Sequence, residues 1–470
     1  MASCGGGVGA CHQSHCQRSE EDGGAEEEAR EMASVSVDSC AAGGGDLVRC
    51  PKCGEEAAAK GGPRVLNGMC PSCFHAHLFG KFKLAVTTNA MISPTDKVLV
   101  AFSGGPASRV ALQFIHEMQC KSLESWDASK SQALPVFSVG VVFIDESIIS
   151  VNPSNDINKT IEEIRPIVSP LSPPHKDLHV ATIENICSMN CNDGKTKLKK
   201  LLDSVPDATG KEDLLEYLRM HLLQKIALDN GYNKLVLGSC TSTLACHVIS
   251  ATAKGQGYSL PADVQYVDAR WEVPVVLPLH DCVTEELKML CHLDGMETLQ
   301  LLKKPSNSIN SLISSFISHL RDENPSRERT IVRTAEKLKP FGFNKFVEDK
   351  YHEFLPSRLR CKFQNTSNSE SALAEVFCPL CGSPLSEPEL QSVSDIQEKS
   401  HTAVEVFTAH CCESCSFQIL PKEPVSLQQF YSILPQPMTR RVTGSTLDHS
   451  MLRELIGDCL LVDDYDNDGT

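Results

Sequence analysis

Eight cysteines stand in four Cys-x-x-Cys pairs, and their thiolates are the first candidates for chemistry. Cys50 and Cys53 are followed, sixteen residues later, by Cys70 and Cys73. Each pair forms a knuckle whose two sulfurs converge, and two knuckles close the tetrahedron that a structural zinc ion prefers. So short a segment could hardly hold itself together as four reduced thiols. Cys378, Cys381, Cys412 and Cys415 repeat the pattern across thirty residues, with Cys411 as a competing thiol. Zinc, in one or two sites, is the expected cofactor. His75 and His77 read as bystanders, because four sulfurs suffice.

A second chemical element is Ser103-Gly104-Gly105-Pro106-Ala107-Ser108. Glycines let a backbone approach a ligand closely, and free N–H groups at a helix start point at an anion. The hexapeptide is also compatible with an ordinary tight turn. It is not a Walker loop, because no Gly-Lys-Ser/Thr follows.

The elements that must position these residues read as α/β. Lys97 to Phe102 is a short apolar run of the kind that forms a buried parallel strand. Val110, Ala111, Phe114, Ile115 and Met118 then recur at helical spacing. Val136–Ile144, His179–Ile183, Lys234–Leu237 and Val273–Leu279 are further strands. Thr209-Gly210-Lys211-Glu212 reads as a capping box opening a long helix, with Leu214, Leu215, Leu218, Leu222 and Ile226 as its core stripe and Gly231 as its stop. Alternating strands and helices imply a parallel sheet with helices on both faces.

Composition sets the bounds. Among 470 residues, 41% are hydrophobic and 22% charged, enough to bury a core. Forty-four basic against sixty acidic residues give −16, which argues against wholesale non-specific nucleic-acid binding. No apolar run is long enough to span a membrane, and no secretory signal is read at the N-terminus, so no membrane partner is expected. Twenty-two cysteines without an export signal point to a reducing, cytoplasmic setting.

Ser-Gly-Gly-x-Asp-Ser is the signature of the PP-loop ATP pyrophosphatases, and this chain resembles them at Ser103, Gly104, Gly105 and Ser108. The family activates a carbonyl by adenylation on an adenine-nucleotide alpha-hydrolase-like fold. The chain departs from the pattern at Ala107, where the acid belongs. A second motif of the PP-loop tRNA thiolases, Gly-His-x-x-Asp-Asp, corresponds to Gly238-Ser239-Cys240-Thr241-Ser242-Thr243, without histidine or acid. Magnesium usually wants a carboxylate beside phosphate oxygens, so efficient adenylation by this chain is not expected.

The order Cys50-Pro51-Lys52-Cys53, Cys70-Pro71-Ser72-Cys73-Phe74, Lys81-Phe82-Lys83, Ser103-Gly104-Gly105-Pro106, Leu235–Cys240, Lys254-Gly255-Gln256-Gly257, Pro278-Leu279 and Cys378-Pro379-Leu380-Cys381 narrows the resemblance. It is similar to the degenerate partner subunits of the PP-loop tRNA thiolases, from about residue 47 to about 460. That resemblance implies a part in placing sulfur at C2 of the wobble uridine in tRNAs for lysine, glutamate and glutamine. It implies as partners an active PP-loop thiolase subunit, as a heterodimer, with tRNA and a thiocarboxylated ubiquitin-like sulfur carrier. ATP and magnesium would belong to the complex. Active thiolases also use a Cys-x-x-Cys pair and one distant cysteine for persulfide or iron–sulfur chemistry. Cys187, Cys191 and Cys240 are weak counterparts, because the pair is spaced by three residues and the distant partner is ambiguous.

The expected organisation is a disordered tail (1–46), an N-terminal zinc module (47–80), a PP-loop-like α/β domain (81–300), a helical, locally basic segment (301–362), a C-terminal Cys-rich module with polar linkers (363–460) and an acidic tail (461–470). Lys195, Lys197, Lys199 and Lys200, read as a loop-to-helix stretch, are candidates for phosphate contacts. So is the stretch Arg321–Lys362, with eleven basic against seven acidic residues. Both patterns equally describe solvated helix faces. Three functions fit: a non-adenylating subunit of a tRNA thiolation complex, an ATP-dependent tRNA sulfurtransferase in its own right, or a zinc adaptor that docks the sulfur carrier without touching RNA.

Overall fold

The computed structural model describes residues 49–54, 68–129, 136–149, 157–188, 191–299, 307–341, 376–397 and 402–440. The expected tails at 1–46 and 461–470, the part of the basic stretch beyond residue 341, and most of the polar linkers lie outside the described residues.

The chain enters through helix α1 (Pro71–Thr88), then strand β1 (Lys97–Ala101), α2 (Pro106–Ser129), β2 (Ser138–Asp145), α3 (Ile157–Val168), β3 (Asp177–Thr182), α4 (Cys191–Ser204) and α5 (Ala208–Asp229). There follow β4 (Lys234–Val236), α6 (Thr241–Ala253), the one-turn α7 (Leu260–Asp263), β5 (Val267–Asp268), β6 (Val275–Val276), α8 (Thr284–Leu293), α9 (Ile309–Glu323) and α10 (Ser326–Ala335). The last part holds α11 (Glu387–Gln397), α12 (Ala403–Ala409), α13 (Glu413–Gln418) and α14 (Pro424–Ile433).

The six strands are ordered β3-β2-β1-β4-β6-β5, parallel throughout except for β5 against β6. Alternation along β1 decides what each face buries. Val98 and Val100 point into a core with Val110, Ala111, Phe114 and Ile115 of α2, Phe74, Leu78 and Phe82 of α1, and Leu287 and Leu290 of α8. Leu99 points the other way, into a core with Leu223 and Ala227 of α5, Leu244 and Ala245 of α6, and Ile313 and Ile317 of α9. The expected parallel α/β sheet with helices on both faces is therefore present. Because β2 and β4 flank β1 on opposite sides, the carboxyl ends of β1 and β4 face one crevice.

A third core joins α4 and α5 to the C-terminal module. Leu198, Leu201, Leu214, Leu218 and Leu222 pack there with Leu380, Phe407, Ile419 and Phe430. Main-chain atoms fix the seam: the Lys254 carbonyl accepts from Ser414 Oγ (2.9 Å) and Gln418 Nε2 (3.3 Å). Lys254 Nζ forms a buried ion pair with Asp213 at 2.8 Å, and Gln256 Nε2 donates to Tyr217 Oη at 3.1 Å. The Lys254-Gly255-Gln256-Gly257 motif is thus a joint between two parts of the chain.

Three local readings need correction. The long helix α5 is capped by Asp207, whose carboxylate accepts from the Gly210 N–H at 2.9 Å, not by Thr209. Thr209 instead lies within the first turn, and its Oγ1 accepts from the Ile309 N–H. The strand expected at Val273–Leu279 pairs only at Val275–Val276, because the chain turns after Leu277, whose carbonyl accepts from the His280 N–H at 3.2 Å. Lys195 to Lys200 lie wholly within α4 rather than entering it from a loop.

Candidate functional site

Both four-cysteine groups assemble in space: within each, the four sulfurs lie within 4.8 Å of one another. They share one plan. The first pair sits on a knuckle turn closed by an N–H to carbonyl bond, Gly54 to Cys50 and Gly382 to Cys378, each 2.9 Å. Both glycines have positive φ (+73° and +72°), where a β-carbon would be strained. The second pair starts a helix, with Cys70 and Cys412 as the N-cap residues of α1 and α13. A helix start favours negative charge, so each plan gathers thiolates where they are easiest to form.

A single zinc with sulfurs at about 2.3 Å gives a tetrahedron with edges of about 3.8 Å. Cys53 to Cys70 and Cys381 to Cys412 are both 3.7 Å between sulfurs. The donor set and its size therefore fit one tetrahedral ion, whereas a four-iron cluster sets each thiolate on a separate iron and needs a wider cage. Outer hydrogen bonds are present as well: Cys70 N–H to Cys50 Sγ (3.3 Å) and Ser383 N–H to Cys381 Sγ (3.4 Å). The backbone N–H groups of Cys70 and Cys53 pull the Cys50 thiol down to about 6, while its neighbour Cys70 pushes Cys73 up to about 12. Buried Cys378 is likewise held well below the usual thiol range by the surrounding thiols, and Cys415 is raised well above it. Thiols within each group compete for negative charge, with Cys50 and Cys70 lowered against Cys73 in one and Cys378 lowered against Cys415 in the other, a competition that a dication resolves. Cys411 stays outside, with its thiol on the Phe407 carbonyl at 3.4 Å.

The crevice is built from two turns. Ser103–Ser108 follows β1, and Gly238–Cys240 follows β4. A β-carbon at Gly238 would lie 2.7 Å from the Ser108 backbone, so the two turns stack directly. Inside the first turn the polar groups are already engaged: Ser103 N–H donates to Ser108 Oγ (3.2 Å), and Ser108 Oγ donates to the Gly105 carbonyl (3.0 Å). Ala107 contributes no carboxylate. At the second turn a buried acid arrives that the sequence reading missed, Glu328 of α10, accepting from Ser242 Oγ at 2.6 Å. Nothing local marks it, because the partners are 86 residues apart.

The remaining thiols are dispersed. Cys240 is buried at the start of α6, with its sulfur 3.2 Å from Thr284 Oγ1. Cys187 follows the short turn after β3, and burial pushes its thiol up to about 12. Cys191 opens α4. Among the described residues, ligand groups of three or more form only at the two four-cysteine sites.

On α4, Lys199 and Lys200 are exposed and Lys195 is half-buried, while Lys197 pairs with Asp193 at 2.7 Å. Of the six basic residues described from Arg321 onward, three are paired within the chain, Arg321 with Glu285 (3.4 Å), Arg327 with Glu323, and Arg329 with Glu286 (3.0 Å), while Arg333, Lys337 and Lys339 are exposed. Glu286 also receives Lys81 at 2.9 Å. Burial works against its ionisation, but Lys81 and Arg329 hold it below the usual carboxylate range. Lys81 and Arg329 thereby bind α1 and α10 to α8.

A doubly wound sheet with a Ser-Gly-Gly turn after its central strand, and with two four-thiolate groups attached, defines an α/β protein of the PP-loop class. The pattern describing cytoplasmic tRNA 2-thiolation protein 2 matches residues 308–418. A protein of that name from Oryza sativa subsp. japonica is 57% identical over 417 residues, 89% of this chain and 90% of the relative. The Arabidopsis thaliana protein of the same name is 48% identical over 461 residues, 97% and 99%. The chain belongs to the cytoplasmic tRNA 2-thiolation protein 2 family. Among solved structures, the U34-tRNA thiolase NcsA from Methanococcus maripaludis, with its [4Fe-4S] cluster, superposes with a TM-score of 0.47 at 16% identity, over 71% of this chain and 95% of that one. Among the described residues no helix is long and apolar enough to cross a membrane.

Proposed function

We propose that this chain is the non-adenylating subunit of a cytoplasmic tRNA thiolation complex, acting on the wobble uridine of tRNAs for lysine, glutamate and glutamine. The observation that carries this reading is a family-typical chain whose two phosphate-side turns, at Ala107 and at Ser239–Thr243, contribute no carboxylate for magnesium. Adenylation makes the uridine C2 oxygen a leaving group, and sulfur from a thiocarboxylated ubiquitin-like carrier replaces it. An active PP-loop thiolase, paired with this chain as a heterodimer, performs the adenylation. This chain holds its own fold with two zinc ions, one on Cys50, Cys53, Cys70 and Cys73 and the other on Cys378, Cys381, Cys412 and Cys415. Lys199 and Lys200, with Lys195 beside them, offer phosphate contacts to tRNA; Lys197 is engaged with Asp193 and contributes less.

The test is tRNA thiolation by the purified chain, by a PP-loop thiolase, and by both together. Product is expected only from the pair, and pyrophosphate release from this chain alone would overturn the assignment. Reversing charge with K199E and K200E should weaken tRNA binding by the pair and flatten its salt dependence, leaving subunit association intact. Unchanged affinity and salt slope would make α4 an ordinary solvated face.

A further inference from the structure

The glycine turn after β1 is not vacant toward the crevice. Helix α8 ends at Gly295, whose φ of +61° reverses the chain and sends it back across the turn. Met296 N–H caps α8 on the Cys291 carbonyl (2.8 Å), and Leu299 N–H donates to the Gly104 carbonyl at 2.9 Å. The Leu299 side chain then covers Gly104. A β-carbon built on Gly104 would lie 2.7 Å from Leu299 Cβ and 2.9 Å from its Cδ1. Gly105 is open by contrast, with only Ser103 Oγ at 3.8 Å. A phosphate held by such a turn must sit where the backbone has no side chain. On the Gly104 side that place is filled by leucine.

Beside this segment lies a cation in an unusual state. Arg109, one turn into α2, is buried, and its Nε has no hydrogen-bond partner. Its Nη1 reaches Gln113 Oε1 at 3.1 Å. Burial lowers its pKa, and the charges of Cys291 and then Glu297 offset part of that. A buried guanidinium that is only partly satisfied favours any anion that can reach it.

We infer that Gly295–Leu299 is a strap over the Gly104 side of this chain's own glycine turn, and that a phosphate-bearing ligand reaches that side only by displacing it. The strap covers Gly104, while Gly105 stays open beside it. It also gives Arg109 a role, because an incoming phosphate meets a buried guanidinium whose Nε has no partner. This inference concerns the chain's own turn and stands apart from its action on tRNA.

The test uses the full chain, with inorganic pyrophosphate and ATP, with and without magnesium, as probes. L299P removes the N–H donor to Gly104, and L299G removes the covering side chain while keeping the donor. Equilibrium dialysis should show at least tenfold tighter pyrophosphate binding by either variant than by the unaltered chain, and R109Q in the L299G background should reverse the gain. In the unaltered chain, saturating pyrophosphate should speed amide exchange at Leu299. Equal binding by all forms with unchanged Leu299 exchange would overturn the inference, as would no binding by any form. Circular dichroism and denaturation midpoints identify a variant that has merely unfolded, in which case L299A replaces it. Thiolation by the two-subunit complex is read separately, so failure here leaves that assignment standing.

Discussion

The two four-cysteine groups share a knuckle, a left-handed glycine and a helix start, yet their surroundings differ. The N-terminal group is partly open: Cys53 is exposed and Cys73 half-buried. Its second pair rides on α1, an 18-residue helix that buries Phe74, Leu78 and Phe82 against the sheet. His75 further ties α1 to Glu117 (3.1 Å) and Asp294 (2.7 Å). The C-terminal group is enclosed: Cys378, Cys412 and Cys415 are buried among Leu380, Phe407, Ile419 and Phe430. Its helices α12 and α13 have seven and six residues, too short to stand in water unaided. An ion held at each group would therefore close a clasp on an already folded helix in one place, and form the organising centre of a small module in the other.

The comparison can be broken most directly at the enclosed group. Replacing Cys378 and Cys412 with serine should unfold residues 376–440, because structural zinc supplies about 10–16 kcal/mol, comparable with the whole stability of a domain. Loss of one metal equivalent and proteolysis confined to this module are the expected readings. A fully protected module without metal would show that its apolar packing suffices. The seam sharpens the contrast. K254M leaves Asp213 buried without its cation and should cost about 3–5 kcal/mol, lowering the denaturation midpoint while both metal equivalents stay bound. Loss of the C-terminal metal in this variant would mean that the seam and the metal site fold as one unit. The smallest effect belongs to the open group. C50S with C53S should remove the other metal equivalent and expose the knuckle at 49–54 to protease, with the sheet and α1 retained and the midpoint shifted by only a few degrees. Collapse of the sheet would place the two groups on an equal footing.

Much of this was legible in the residues. The Cys-x-x-Cys spacings, the continuous apolar run Lys97–Phe102 and the helical stripe from Val110 need only local periodicity, and each is found where its pattern puts it. What escaped reading depends on partners far along the chain. Strand β5 has two residues and exists only because Val267 and Asp268 meet Val276 and Val275. Glu286 looks like a first-turn helix acid but gathers Lys81 and Arg329 from two other helices. Asp207 outcompetes Thr209 as a cap because its carboxylate is the one that reaches the Gly210 N–H. Leu299 carries no signal at all, since an isolated leucine after a helix reads as ordinary core.

Helix α5 has apolar surface on two sides, one against the sheet and one against a module encoded far downstream. A ribosome adding about 5–20 residues each second takes roughly 10–40 s to travel from Leu222 to Leu434. Throughout that interval Leu214, Leu218 and Leu222 have no partner from the C-terminal module, although the sheet side of the same helix can already be covered. The nascent chain thus carries a temporary greasy stripe, a natural landing place for a chaperone, which is withdrawn only when the C-terminal module emerges and packs against it.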